Sequence, residues 1–132
     1  MSITRNQAHN IASVLSEGLP YIQRFYGKTI VVKYGGAVMS KKSLKNGFAR
    51  DIALMKLVGM NPVIIHGGGP QIGKELRKYG LKSKFVSGLR VTNKKTMKVV
   101  KKVLGKEVNG ELVGLIKKYG AKSFSTTKKN LR

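Results

Sequence analysis

The sequence predicts an α/β fold on a mainly parallel sheet, and three observations carry that prediction. Two apolar segments, "KTIVVKYGG" (28–36) and "NPVIIHGGG" (61–69), read as buried strands. Ile30, Val31 and Val32, like Val63, Ile64 and Ile65, run without the polar alternation of a half-solvated strand. A segment of helical period separates them and another follows. The order β-α-β-α, then a hairpin, a helix and a further strand, places parallel strands behind helical crossovers.

The elements follow in chain order. Ile3, Gln7, Ile11, Val14 and Leu15 recur at helical spacing, with Ser2 or Thr4 as the cap. Gly18 and Pro20 are expected to break this helix, and Leu19, Ile22 and Phe25 to make a second short piece ending at Gly27. Residues 1–27 thus form an amphipathic extension, suited to packing on its own domain or on a neighbouring copy. After the first strand, Ser43 is the expected cap of a helix whose stripe is Leu44, Phe48, Ile52, Met55 and Val58, stopped by Gly59. Pro70 sits where a third helix begins, with Ile72, Leu76 and Tyr79 inward and Gly80 as its end. "SKFVSGLRVT" (83–92) carries a hairpin signal at Ser87-Gly88. A helix from Lys94 to Lys118 is weakest at Gly105, and "AKSFSTT" (121–127) reads as a third strand.

Charge is the unusual feature of the composition. The chain has 27 Lys+Arg against 5 Asp+Glu, a net +22, with +7 in residues 1–60 and +15 in residues 61–132. Such self-repulsion opposes compaction and is relieved by polyanions, so a nucleic acid is one expected partner. A charged, soluble surface is the other reading. The 41% hydrophobic content suffices for a core in one domain. No apolar run approaches a membrane span, so no membrane is expected as a partner. The absence of cysteine excludes disulfides and thiolate metal sites and fits a reducing compartment, the cytoplasm or an organelle matrix.

Glycines close both strands: Gly35-Gly36 after the first and Gly67-Gly68-Gly69 after the second. Parallel strands end along one edge, where ligands bind. There glycine lets successive backbone N–H groups approach an anion, next to a helix N-terminus. Lys33 adds a mobile positive charge suited to a phosphoryl group. Tight turns also use triple glycines, and Lys33 also fits a surface lysine. Neither turn matches the P-loop or the dinucleotide fingerprint.

"LPYIQRFYGKTIVVKYGG", "FARDIALMKLVGMNPVIIHGGGPQIG" and "GLRVT" together closely resemble the N-terminal half of the N-acetylglutamate kinases, within the amino-acid kinase family. The likeness continues more weakly through "VLGKEVNGELVGLI". The resemblance implies a three-layer αβα sandwich with a mainly parallel sheet, here truncated to residues 28–132. It implies MgATP-dependent phosphorylation of the γ-carboxylate of N-acetyl-L-glutamate, in arginine biosynthesis. By that likeness Lys33 is catalytic and stabilises the transferring phosphoryl group. Gly35, Gly36, Gly67 and Gly68 offer N–H donors to substrate, and Arg90 grips a substrate carboxylate. The N-terminal helix resembles an extension that joins dimers in arginine-inhibited members, so a homo-oligomer is expected.

Departures from the family shape the rest. The nucleotide-binding half has no counterpart, so the chain is expected to hold no cofactor, to bind N-acetylglutamate or a phosphate-like anion, and to be inactive alone. Ala37 replaces the usual Asn, and Ser87 and Asn93 stand where acids are common. Lys94, Lys95, Lys98, Lys101 and Lys102 fall in one helical arc, with Met97, Val100 and Leu104 toward a core. That arc is the candidate nucleic-acid surface of a basic ribonucleoprotein component built on a kinase scaffold; an engineered, recharged half-domain is the remaining alternative. Asp51 is expected to pair with Arg50, and Glu107 and Glu111 to repel and hold no metal. His66 is expected to serve packing or backbone support ahead of acid–base chemistry.

Overall fold

The structure, a computed structural model, describes residues 3–126, the side chain of Ala37 excepted. Helix α1 (Arg5–Phe25) starts at a reciprocal cap: Gln7 N–H donates to Thr4 Oγ1 at 3.3 Å and Thr4 N–H to Gln7 Oε1 at 2.9 Å. It runs unbroken through Gly18 and Pro20, against the expected break. No residue of α1 is buried, so the carbonyl that Pro20 leaves without a donor is open to water and the usual penalty is reduced.

Strands β1 (Thr29–Tyr34) and β2 (Asn61–His66) pair in parallel, from Thr29 opposite Asn61 to Tyr34 opposite His66. Their burial alternates, which corrects the reading of fully buried strands. Val32 and Ile64 pack on the core, whereas Val31, Val63 and Ile65 are 61%, 49% and 58% exposed. Among the described residues the helices cover one face of this sheet only, so β-branched runs mark strands here without marking burial on both sides.

A 3₁₀ turn (Gly36–Met39) leads to α2 (Lys42–Leu57). The cap position is Lys41, not Ser43, because the Lys41 carbonyl already accepts from Lys45 N–H at 3.0 Å and leaves Ser43 inside the first turn. Ala49, Ile52 and Ala53 are buried while Leu44 stays exposed at the entry of the helix. Helix α2 packs on β2 and on α5 (Asn109–Lys118). The Tyr34 and Phe48 rings meet at 4.6 Å between centroids.

Helix α3 (Gly69–Lys78) carries Pro70 in its first turn and buries Ile72, Glu75 and Leu76. Tyr79, expected inward, is exposed, because it follows the last turn as the C-cap. The hairpin forms where predicted, β3 (Phe85–Val86) against β4 (Leu89–Arg90), with Ser87 and Gly88 at positive φ. Helix α4 (Lys94–Lys102) is capped by Asn93, whose side chain accepts from Thr96 N–H at 2.9 Å. Thr96 and Val99 are buried; Met97, expected inward, is exposed.

The helix expected over 94–118 runs without interruption over those residues, with its middle turns wound as a π-helix. A π-helical segment (Val103–Val108) joins α4 to α5 and buries Val103 and Val108. Gly105, the expected weak point, lies inside it, where the turns are of the wider i→i+5 kind. Residues 121–126 form no strand, and Thr127 lies outside the described residues. Ser123 Oγ donates to the Val113 carbonyl at 3.1 Å, which holds this segment against α5 in place of a ladder. The core gathers Tyr34, Ile52, Leu76, Val103, Leu112 and Ile116 between α2, α3 and the π–α5 stretch.

Candidate functional site

The strands end level, so Gly35-Gly36 and Gly67-Gly69 leave adjacent strand ends, about 5 Å apart across the ladder. The juxtaposition expected from the sequence therefore exists. Gly36 opens the 3₁₀ turn at φ +57, a left-handed backbone that side chains disfavour. Gly68 caps α3 and is buried: a Cβ there would lie 2.6 Å from Leu104 Cδ2 and 3.5 Å from Val108 Cγ2. Gly35 and Gly67 have open space around the position of a Cβ.

Arg90 comes to the same place from the hairpin. Its Nη2 donates to the Gly69 carbonyl at 3.4 Å, its Nη1 donates to Ser83 Oγ, and its guanidinium lies 4.6 Å above the Phe85 ring. Stacking and two hydrogen bonds hold the fork in one orientation, with donors left over for a carboxylate. Lys33 is placed differently. It sits opposite Ile65 on the outward face of the sheet, exposed, and among the described residues no hydrogen bond or ion pair restrains it.

Sequence reasoning reached those residues one at a time but missed a link beneath them. Asn109 Nδ2 lies 3.2 Å from His66 Nε2, and His66 Nδ1 lies 3.0 Å from the Gly67 carbonyl. Asn109 is 43 residues away in the chain, and no local pattern marks it. Burial, and then the negative charge of Glu111, raise the Tyr34 hydroxyl above its ordinary range.

The lysine arc is exposed along α4 at Lys94, Lys95, Lys98 and Lys101. Lys102 folds back instead, donating to Glu75 Oε1 at 2.6 Å and lying 3.3 Å from Glu107. Glu75 also meets Lys78 at 2.8 Å. These two bonds, Lys102's first, hold the Glu75 carboxyl down at about 2 and raise both ammonium groups. Lys45 Nζ bonds both oxygens of Glu111, at 2.6 and 2.8 Å. Arg50 lies 3.4 Å from Asp51, as expected. Glu17 accepts from Ser13 on α1. Each acid thus has a basic or hydroxyl partner, and no group of three His, Asp or Glu able to hold a metal exists among the described residues. These residues do not fit the carboxylate share of a magnesium–nucleotide site. Among the described residues no helix is long and apolar enough to cross a membrane.

A parallel strand pair with helical crossovers, its carboxyl ends opening into glycine turns, defines an α/β unit. The chain belongs to the amino acid kinase family, whose model matches residues 28–131. It is 59% identical, over 98% of its length, to the acetylglutamate kinase of Hydrogenovibrio crunogenus, of which it covers 44%. It is 58% identical over 95% of its length to that of Ruthia magnifica, covering 42%. The chain therefore spans less than half the length of these relatives. Among solved structures, smu.665 from Streptococcus mutans matches 79% of the chain at TM-score 0.67 and 31% identity, with 41% of that protein covered. The N-acetylglutamate synthase of Neisseria gonorrhoeae, complexed with coenzyme A and N-acetyl-glutamate, shares the fold at TM-score 0.68 and 24% identity over 83% of this chain and 25% of its own.

Proposed function

We propose that this chain forms the acceptor side of an acetylglutamate kinase, binding N-acetyl-L-glutamate and the phosphoryl group at the paired glycine turns. The observation that carries this reading is the level ladder end, Tyr34 opposite His66, which sets both turns side by side with Arg90 bonded to the third glycine. Identity of 55–59% to acetylglutamate kinases supports the choice of substrate. Arg90 takes the α-carboxylate through its free N–H groups. Backbone N–H groups of Gly35, Gly36, Gly67 and Gly68 hold the acyl and phosphoryl oxygens, and Lys33 swings on its flexible stem to offset their charge. Phosphoryl transfer is mostly positioning and charge stabilisation, which a lysine and amide donors supply.

Calorimetric titration tests this. The folded chain is expected to bind N-acetyl-L-glutamate saturably, and Arg90→Ala to weaken binding by about tenfold or more, the range for charged hydrogen bonds. Lys33→Ala is expected to weaken inorganic phosphate more than N-acetylglutamate. No heat with either ligand from a chain whose circular dichroism is intact would overturn the reading.

A further inference from the structure

We propose that His66, held by Asn109, is a positioning residue that sets the direction of the Gly67–Gly68 peptide; this rests on the reading of that turn as an anion cradle. A carboxamide NH₂ only donates, so with Asn109 Nδ2 at 3.2 Å, His66 Nε2 accepts. The ring proton then sits on Nδ1, which faces the Gly67 carbonyl at 3.0 Å, an acceptor only. The three groups form one directed chain, from amide to imidazole to carbonyl, and it admits one neutral tautomer.

The consequence follows from peptide geometry. The Gly67 carbonyl and the Gly68 N–H belong to one planar unit and point in opposite directions. Fixing the carbonyl toward His66 therefore fixes the Gly68 N–H away from it. A turn of three successive glycines has the largest backbone freedom a chain offers, so an unbraced turn must be ordered by its ligand at the expense of affinity.

The π-helical segment serves the same brace twice. Leu104 and Val108 close over Gly68, at 2.6 and 3.5 Å from where a Cβ would stand. Asn109 follows directly as the first residue of α5. The looser turns so deliver the apolar lid and the amide to one loop, and π segments concentrate at functional sites. Among the described residues the buried Asn109 Oδ1 has no partner, an arrangement that favours a placement serving the ring over one serving Asn109 itself.

Nitrogen-15 NMR of the full chain tests the inference, with His9 on exposed α1 as the internal reference. In its neutral form His66 is expected to carry its proton on Nδ1; a neutral ring protonated on Nε2 would overturn the proposal. Two substitutions separate positioning from packing. His66→Asn places an amide near Nδ1 and is expected to keep phosphate affinity within about threefold, whereas His66→Gln places one near Nε2 and loses about tenfold, as does Asn109→Ala. Equal phosphate affinities for wild type and His66→Gln would sink it. If wild type binds neither phosphate nor N-acetylglutamate, the functional reading fails on its own. The brace is then judged by the tautomer and by amide exchange at Gly68, expected faster in His66→Gln and unchanged if the brace does not exist.

Discussion

Residues at the two turns are glycine for different reasons, and substitution separates them. Gly36 needs its left-handed φ of +57, with nothing near the absent Cβ. Gly36→Ala is therefore expected to lose about 1 kcal/mol of stability from backbone strain alone. Gly68 has an ordinary extended φ but no room, with Leu104 Cδ2 at 2.6 Å. Gly68→Ala should lose about 1–3 kcal/mol as the π segment is pushed off. Gly35 has neither constraint, so Gly35→Ala should stay within about 0.5 kcal/mol in stability. Urea unfolding of the three variants checks the order; Gly68→Ala no worse than Gly35→Ala would remove the Leu104 contact from the account.

Elements are joined by one buried acid. Glu75 on α3, with a side chain 7% exposed, takes Lys102 from α4 and Lys78 from its own helix. Its carboxyl titrates at about 2 when folded, against an ordinary 4.5. A depressed carboxyl stabilises fully above the unfolded value and loses that contribution as pH falls from about 4.5 toward about 2. Urea midpoints should fall across that window, and Glu75→Gln should flatten the slope there; an unchanged slope in the variant would place the acid sensitivity elsewhere. This joint shows where sequence legibility stops. Strands β1 and β2, the hairpin turn at Ser87-Gly88 and a cap at Ser2 or Thr4 follow from neighbouring residues and were legible, whereas the strand expected at 121–127 was not formed over its described residues. Glu75 and Lys102 are 27 residues apart, and Asn109 and His66 are 43. The first depends on how α3 packs against α4 and the second on how the π segment turns α5, neither of which a 3.6-residue period can express. The outward exposure of Val31 and Ile65 was hidden for a similar reason: a β-branched run scores as a strand whichever face is covered.

At the scale of the whole molecule, charge and apolar surface oppose each other. Helix α1 exposes Ile11, Val14, Leu15 and Leu19, each more than half accessible, and the sheet exposes Val31, Val63 and Ile65 beside it in composition. Full burial of each such side chain contributes about 1.5–3 kcal/mol, so four on α1 offer several kcal/mol toward pairing copies. Association itself costs about 4–15 kcal/mol, which leaves the balance close. Each copy carries +22, and its acids are already engaged within the chain, so copies repel. That repulsion reaches about 30 Å at 0.01 M salt and about 3 Å at 1 M. The chain is therefore expected to sediment as a monomer at low sodium chloride and at higher mass as the salt is raised. A chain lacking residues 1–24 separates the two apolar surfaces: it should remain monomeric throughout if α1 is the contact. Association that persists without α1 would assign it to the open sheet face, and a mass independent of salt would show that the surplus charge does not govern assembly.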